Sequence, residues 1–274
     1  MSSIVWKERN DKYWIQRPPV HPPLEDFLIR VVIKHGKVHK KRGELYFIPG
    51  QSHVPIVIMD SMGQNLEQPP HAIYIIWHGG VIESLVEWVK TNILDLKARL
   101  PLSPNVIMAG GGNSISSRLI KPYRSGHQLA ENVINRLEEL SNWCEVYAII
   151  LTVGSVLPRP SDQDEHKSKL FHIPLWKRKQ LSAAYVGVNK FIKALNKRNG
   201  VKQLPLHRFV SFCDGENDES NPSKRSKSKQ RLYPDTEQCR IHLACFSPFD
   251  WVHLSPKGDQ KVGDVLCKHI SPKN

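Results

Sequence analysis

From residue 54 onward, short and continuously apolar runs alternate with amphipathic segments of helical period, and few folds accommodate that alternation. The runs Val54 to Met59, Ala72 to Trp77, Asn105 to Ala109, Val146 to Val153 and Arg208 to Cys213 have strand length and are rich in Ile and Val. They are apolar at successive positions rather than alternate ones, as strands buried on both faces require. Between them, Ile82 to Leu100, Leu129 to Leu140, Leu181 to Leu195 and Lys257 to Ile270 carry apolar stripes. In the first of these the stripe is Leu85, Val86, Val89, Ile93 and Leu96, the spacing of one helix face. The order predicts an α/β three-layer sandwich: a flavodoxin-like, doubly wound parallel sheet of about five strands with helices on both faces.

Ahead of this region the pattern differs. Pro18, Pro19, Pro22 and Pro23 exclude a helix, so residues 1–24 read as an extended arm. Phe27 to Ile33 and Glu44 to Ile48 read as two strands, with a basic loop containing Gly36 and Gly43 between them. We therefore expect a small β-rich extension over 1–50 and a main domain over 51–274. Two polar insertions, 154–180 and 214–240, interrupt the main domain. Apolar residues make up 40% of the 274, enough for a sizeable core. No apolar run nears the ~20 residues that span a bilayer, and no apolar stretch follows the first basic residue as in a secretory signal. Cys144, Cys213, Cys239, Cys245 and Cys267 include no close pair. The expectation is reduced thiols, no metal or organic cofactor, and an intracellular setting, cytoplasmic or nuclear.

The 39 Lys and Arg against 26 Asp and Glu leave a formal charge of +13. Such a surface selects anionic partners. Lys34, Lys37, Lys40, Lys41 and Arg42 form one cluster, and Lys224, Arg225, Lys227, Lys229 and Arg231 a second. Both are candidate anion or nucleic-acid (RNA or DNA) contacts, weighed against ordinary solvated loops.

In a parallel sheet the chemistry sits at the carboxyl ends of the strands. The first central run ends in Asp60-Ser61, the second in His78-Gly79-Gly80, and the third in Gly110-Gly111-Gly112-Asn113-Ser114. Before the last helix comes Asp250-Trp251-Val252-His253-Leu254-Ser255-Pro256-Lys257-Gly258. Acyl transfer needs such a set. Ser61 supplies a nucleophile, His253 a base, and Asp250 a group to orient the imidazole. The backbone N–H groups of Ser61 and Gly80 and the Asn113 amide supply oxyanion donors. Taken singly, each residue has an ordinary role: Ser61 as a helix cap, the glycines in turns, His253 as a packed side chain.

In that order and at those positions, Asp60-Ser61, Gly80, Gly111-x-Asn113 and Asp250-x-x-His253 resemble the sequence blocks of the SGNH (GDSL-like) hydrolase superfamily over residues 54–270. The resemblance implies a serine esterase or acyl hydrolase acting on a small acyl ester. Two positions depart from the family pattern: Met59 stands in place of a glycine, and Ser114 in place of an aspartate. A larger residue at 59 is expected to press on the nucleophile turn. The competing reading is a non-catalytic, RNA-binding module on the same fold, which the basic clusters would serve.

Overall fold

The structure, a computed structural model, describes residues 21–118, 125–157, 175–209, 211–213, 239–241, 245–247 and 253–271. Its centre is a six-stranded sheet in the order β2-β1-β4-β3-β5-β6. The strands are β1 (Leu24–Lys34), β2 (Lys37–Leu45), β3 (His53–Asp60), β4 (Ile73–Trp77), β5 (Ser103–Ala109) and β6 (Ile150–Val153). Every pairing in it is parallel except β1 with β2. The helices are α1 (Ile82–Arg99), α2 (Gly112–Arg118), α3 (Gly126–Val146), α4 (Leu175–Arg198) and α5 (Pro256–Ile270).

The two parities of each central strand feed two separate cores, which explains why the runs are apolar throughout. Val54, Ile56, Ile58, Ile73, Ile75, Val106 and Met108 pack with the stripes of α1, α3 and α4. Val57, Met59, Tyr74, Ile76, Ile107 and Ala109 pack on the opposite face with Val262, Leu266 and Ile270 of α5. Helices therefore cover both faces, as the alternation requires.

Three expectations are corrected. The basic stretch is not a loop but the edge strand β2, joined to β1 by the two-residue turn His35-Gly36, with φ of 50° and 73°. Those angles suit a type I′ hairpin turn. The hairpin is hydrogen-bonded into the main sheet through β1 and β4. At the other flank, β6 begins only at Ile150, because α3 runs on to Val146 and Ala148 turns the chain with φ 49°. The run Arg208 to Cys213 does not enter the main sheet either. Its last residues form β7 (Ser211–Cys213), paired antiparallel with β8 (Cys239–Ile241) in a separate ribbon.

The place beside β6 that a further parallel strand would fill holds a single bridge, Gly154 with Leu204. The outward peptide groups there are satisfied by side chains of α4. Asn196 accepts from Val153 N at 2.9 Å and donates to Val153 O at 2.7 Å. Asn189 does the same for Val156, at 2.8 and 3.3 Å. Each amide presents one acceptor and one donor, as a neighbouring strand would.

Candidate active site

Strand register sets the site. Ile33 lies opposite Trp77, Trp77 opposite Asp60, and Met59 opposite Ala109. Continued one residue past Ile33, Trp77 and Asp60, the register gives a row along the carboxyl edge, Lys34, His78 and Ser61, with Gly110 one step back beside Asp60. Neighbouring strands are ~4.8 Å apart, so the row is compact.

Ser61 opens a 3₁₀ turn, Ser61–Gly63, directly after β3. Asp60 caps that turn, its carboxylate accepting from Met62 N at 3.1 Å. Ser61 is 6% exposed, and its hydroxyl makes no hydrogen bond among the described residues. Met59 is accommodated from below. Its side chain joins the α5-side core, and a Cβ placed on Gly63 would lie 2.9 Å from Met59 Cβ and 3.1 Å from its sulfur. Bulk added at 59 is thus matched by bulk absent at 63, a compensation the sequence pattern does not single out. Beside the turn, Met59, Asp60, Met62, Gly110 and Leu206 help line a cavity of about 10 Å³, room for one water-sized group.

Two glycine loops flank the turn. After β4, Gly80 N–H donates to Trp77 O at 3.0 Å, closing a β-turn whose third residue, Gly79, has φ 69°. That left-handed position favours glycine. After β5, Gly110 lies against the Asp60-Ser61 turn, its Cβ position 3.8 Å from both Asp60 N and a carboxylate oxygen of Asp60. Gly111 has φ 107°, again in glycine's range. This turn starts α2 and delivers Asn113, whose amide donates to Gly80 O at 3.0 Å. One hydrogen bond therefore joins the two loops that carry the candidate oxyanion donors. The Gly80 N–H is donated to Trp77 O in this state, while the Asn113 amide carries a second hydrogen. Ser114 ties the start of α2 to the start of α1: its hydroxyl accepts from Ile82 N at 2.7 Å.

The segment bearing His253 is held on both sides. Ser247 N donates to His253 O at 2.8 Å, and Ser255 N donates to Cys245 O at 3.0 Å. Phe246 and Leu254 form an antiparallel bridge between those bonds. Ser255 caps α5 through Gly258 N, and Pro256 starts the helix. Gly258 fits because a Cβ there would be 2.0 Å from Cys245 O. His253 lies close enough to His78 for its charge to lower the His78 pKa. Burial is the largest cause of that lowering, and Lys34 and His35 also contribute. Asp250 lies outside the described residues, as do Lys224, Arg225, Lys227, Lys229 and Arg231. Lys34, Lys37, Lys40, Lys41 and Arg42 are all exposed on the β1–β2 hairpin. Among the described residues, no group of His, Cys, Asp and Glu is arranged to hold a metal ion, and no helix is long and apolar enough to cross a membrane.

No family model matches the chain, and no curated protein matches it in sequence. Solved structures do match in fold. A GDSL-like lipase of Bacteroides thetaiotaomicron aligns at 13% identity with a TM-score of 0.50, over 79% of this chain and 87% of that one. A protein assigned as an acylhydrolase from Bacteroides fragilis aligns at 12% identity with a TM-score of 0.51, over 79% and 86%. With its parallel sheet, its helices on both faces and the ordered blocks at its strand ends, the chain has the fold of the SGNH (GDSL-like) hydrolases.

Proposed function

We propose that this chain is a serine esterase of the SGNH type. Ser61 Oγ attacks the ester carbonyl carbon, and His253 takes the hydroxyl proton, with Asp250 orienting its ring. The oxyanion is held by Ser61 N–H, the Asn113 amide and Gly80 N–H. Collapse of the tetrahedral intermediate breaks the bond to the alcohol oxygen, which receives the proton from His253. Water, deprotonated by His253, then attacks the acyl-serine and releases the acid and the serine hydroxyl.

The observation that supports this reading best is the Asn113–Gly80 hydrogen bond, which ties two glycine loops together beside the Asp60-Ser61 turn. The turn itself is capped by Asp60, so capping does not account for the serine at 61. The open Ser61 hydroxyl is consistent with a resting site, since catalytic hydrogen bonds often tighten only when substrate binds.

Labelling by a fluorophosphonate probe tests the proposal, with wild type beside Ser61→Ala and His253→Ala. The expected result is labelling of wild type alone, accompanied by hydrolysis of short activated esters. Equal labelling of Ser61→Ala, or none in folded wild type, would exclude Ser61 as an activated nucleophile.

A further inference from the structure

The β1–β2 hairpin places positive charges in direct opposition, which is unfavourable unless something neutralises them. Lys34 is the cross-strand partner of Lys37, and Arg30 that of Lys41. Like charges facing each other across an antiparallel pair destabilise it. Arg30 is partly relieved by the carbonyls of Gln64 and Leu66, at 2.7 and 3.4 Å. Among the described residues, neither Lys34 nor Lys37 has an acidic partner. Arg42, further from the turn, is paired with Asp26 at 3.0 Å. The uncompensated pair therefore sits at the tip of the hairpin.

That tip is also the end nearest the site. His78 N donates to Ile33 O at 2.8 Å, so Lys34 stands next to His78, and His78 stands next to Ser61 across β4 and β3. Two strand spacings separate the end of β1 from the nucleophile, ~10 Å. The type I′ turn at His35-Gly36 fixes the pairing of the two lysine positions, because its φ angles of 50° and 73° match the strand twist. Asp60, one residue before Ser61, has its carboxylate turned to Met62 N.

Taking the esterase reading as its basis, we propose that Lys34 and Lys37 form an anion subsite, and that the substrate is an ester bearing a carboxylate or phosphate about 10 Å from the scissile carbonyl. His78 lies between this subsite and Ser61. Burial, and then the charges of Lys34, His253 and His35, lower its pKa.

A matched pair of substrates tests this: 7-acetoxycoumarin-3-carboxylate and its neutral ethyl ester. They share the acetyl group and the rigid leaving group, and differ in one negative charge roughly 10 Å from the acetyl carbonyl, like the subsite. The quantity read is the ratio of kcat/KM, anionic over neutral. Lys34→Gln is expected to lower that ratio about five-fold, and Lys34→Gln with Lys37→Gln about twenty-fold. High salt is expected to compress the wild-type ratio toward one. An unchanged ratio in the double variant, with its circular dichroism intact, overturns the proposal. Binding of 7-hydroxycoumarin-3-carboxylate, read by fluorescence polarisation, needs no chemistry. If wild type cleaves neither ester, the esterase reading fails, yet weaker product binding in the double variant still supports the subsite. Equal product binding overturns it. Salt-sensitive binding of single-stranded RNA, lost in Lys37→Gln with Lys41→Gln while the coumarin ratio stays unchanged, would also overturn it and make the strand a nucleic-acid track.

Discussion

Replacing Gly258 by alanine separates a requirement of the site from a preference of the helix. The added Cβ would fall 2.0 Å from Cys245 O, a backbone atom held by the Ser255 N–H at 3.0 Å. Carbon and oxygen need roughly 3.2 Å, so α5 and the 245–247 segment must part by about 1.2 Å. Overpacking of this kind costs about 1–3 kcal/mol, and weakening the Ser255–Cys245 bond adds about 1 kcal/mol. The expected loss is therefore about 3 kcal/mol, or a fall in Tm of roughly 6–12 °C for a chain of this size. His253 lies between the two displaced anchors. A shift of about 1 Å in a catalytic base lowers the rate on the order of 100-fold. Gly263→Ala in the same helix is the control: its Cβ would meet nothing nearer than Leu66 Cδ2 at 3.8 Å. That change should stabilise by about 0.5–1 kcal/mol. Urea unfolding and fluorophosphonate labelling of both variants read the two effects. A Gly258→Ala protein of native stability and native labelling rate would refute the packing argument and the link from α5 to His253.

Two further outcomes follow from burial. Met59→Gly, which restores the residue usual in the family, should destabilise by about 3 kcal/mol in urea unfolding, because Met59 is 1% exposed in the α5-side core. A neutral result would mean that the space under Gly63 can collapse. His71 is 1% exposed, and burial lowers its pKa to about 4 from 6.5. Between those values the unfolded chain binds a proton that the folded one refuses, so stability falls as pH drops from 6.5 toward 4. The loss approaches about 3 kcal/mol and then levels off. His71→Gln should flatten this part of the stability–pH curve, and an unchanged slope in that variant would clear His71 of the role.

The central strands were legible because both of their faces are apolar, so the runs around Ile56, Ile75 and Ile107 had no competing period. The stripes of α1 and α3 were legible for the same reason. β2 escaped because Lys37 to Arg42 has no apolar face to signal a strand. Its one local mark was the His35-Gly36 turn, and lysines are tolerated on an edge. Arg208 to Cys213 has the right residues for a parallel strand, but the slot beside β6 is filled by the Asn189 and Asn196 side chains and the Leu204 bridge. The Gly- and Ser-rich helix α2 has poor local propensity. At the site, the strand-end blocks could be read from order and spacing. The bonds joining Asn113 to Gly80 and Ser114 to Ile82 span 33 and 32 residues, and no local pattern encodes them. The Met59–Gly63 match depends on where a side chain points.

The two flanks of the sheet differ in how they resist joining another sheet. At β6 the outward peptide groups are already taken by the Asn189 and Asn196 amides, a block that salt does not weaken. At β2 no strand pairs with the outer edge among the described residues, and the exposed lysines there disfavour strand addition by a second copy. Their mutual repulsion reaches about 10 Å at 0.1 M salt and about 3 Å at 1 M. Strand addition at β2 is therefore expected to be easier at high ionic strength, whereas the amide-capped flank is expected to be indifferent to salt. A multivalent anion on that strand would lower the same barrier, so the proposed anion subsite and the protection of the edge draw on the same few lysines.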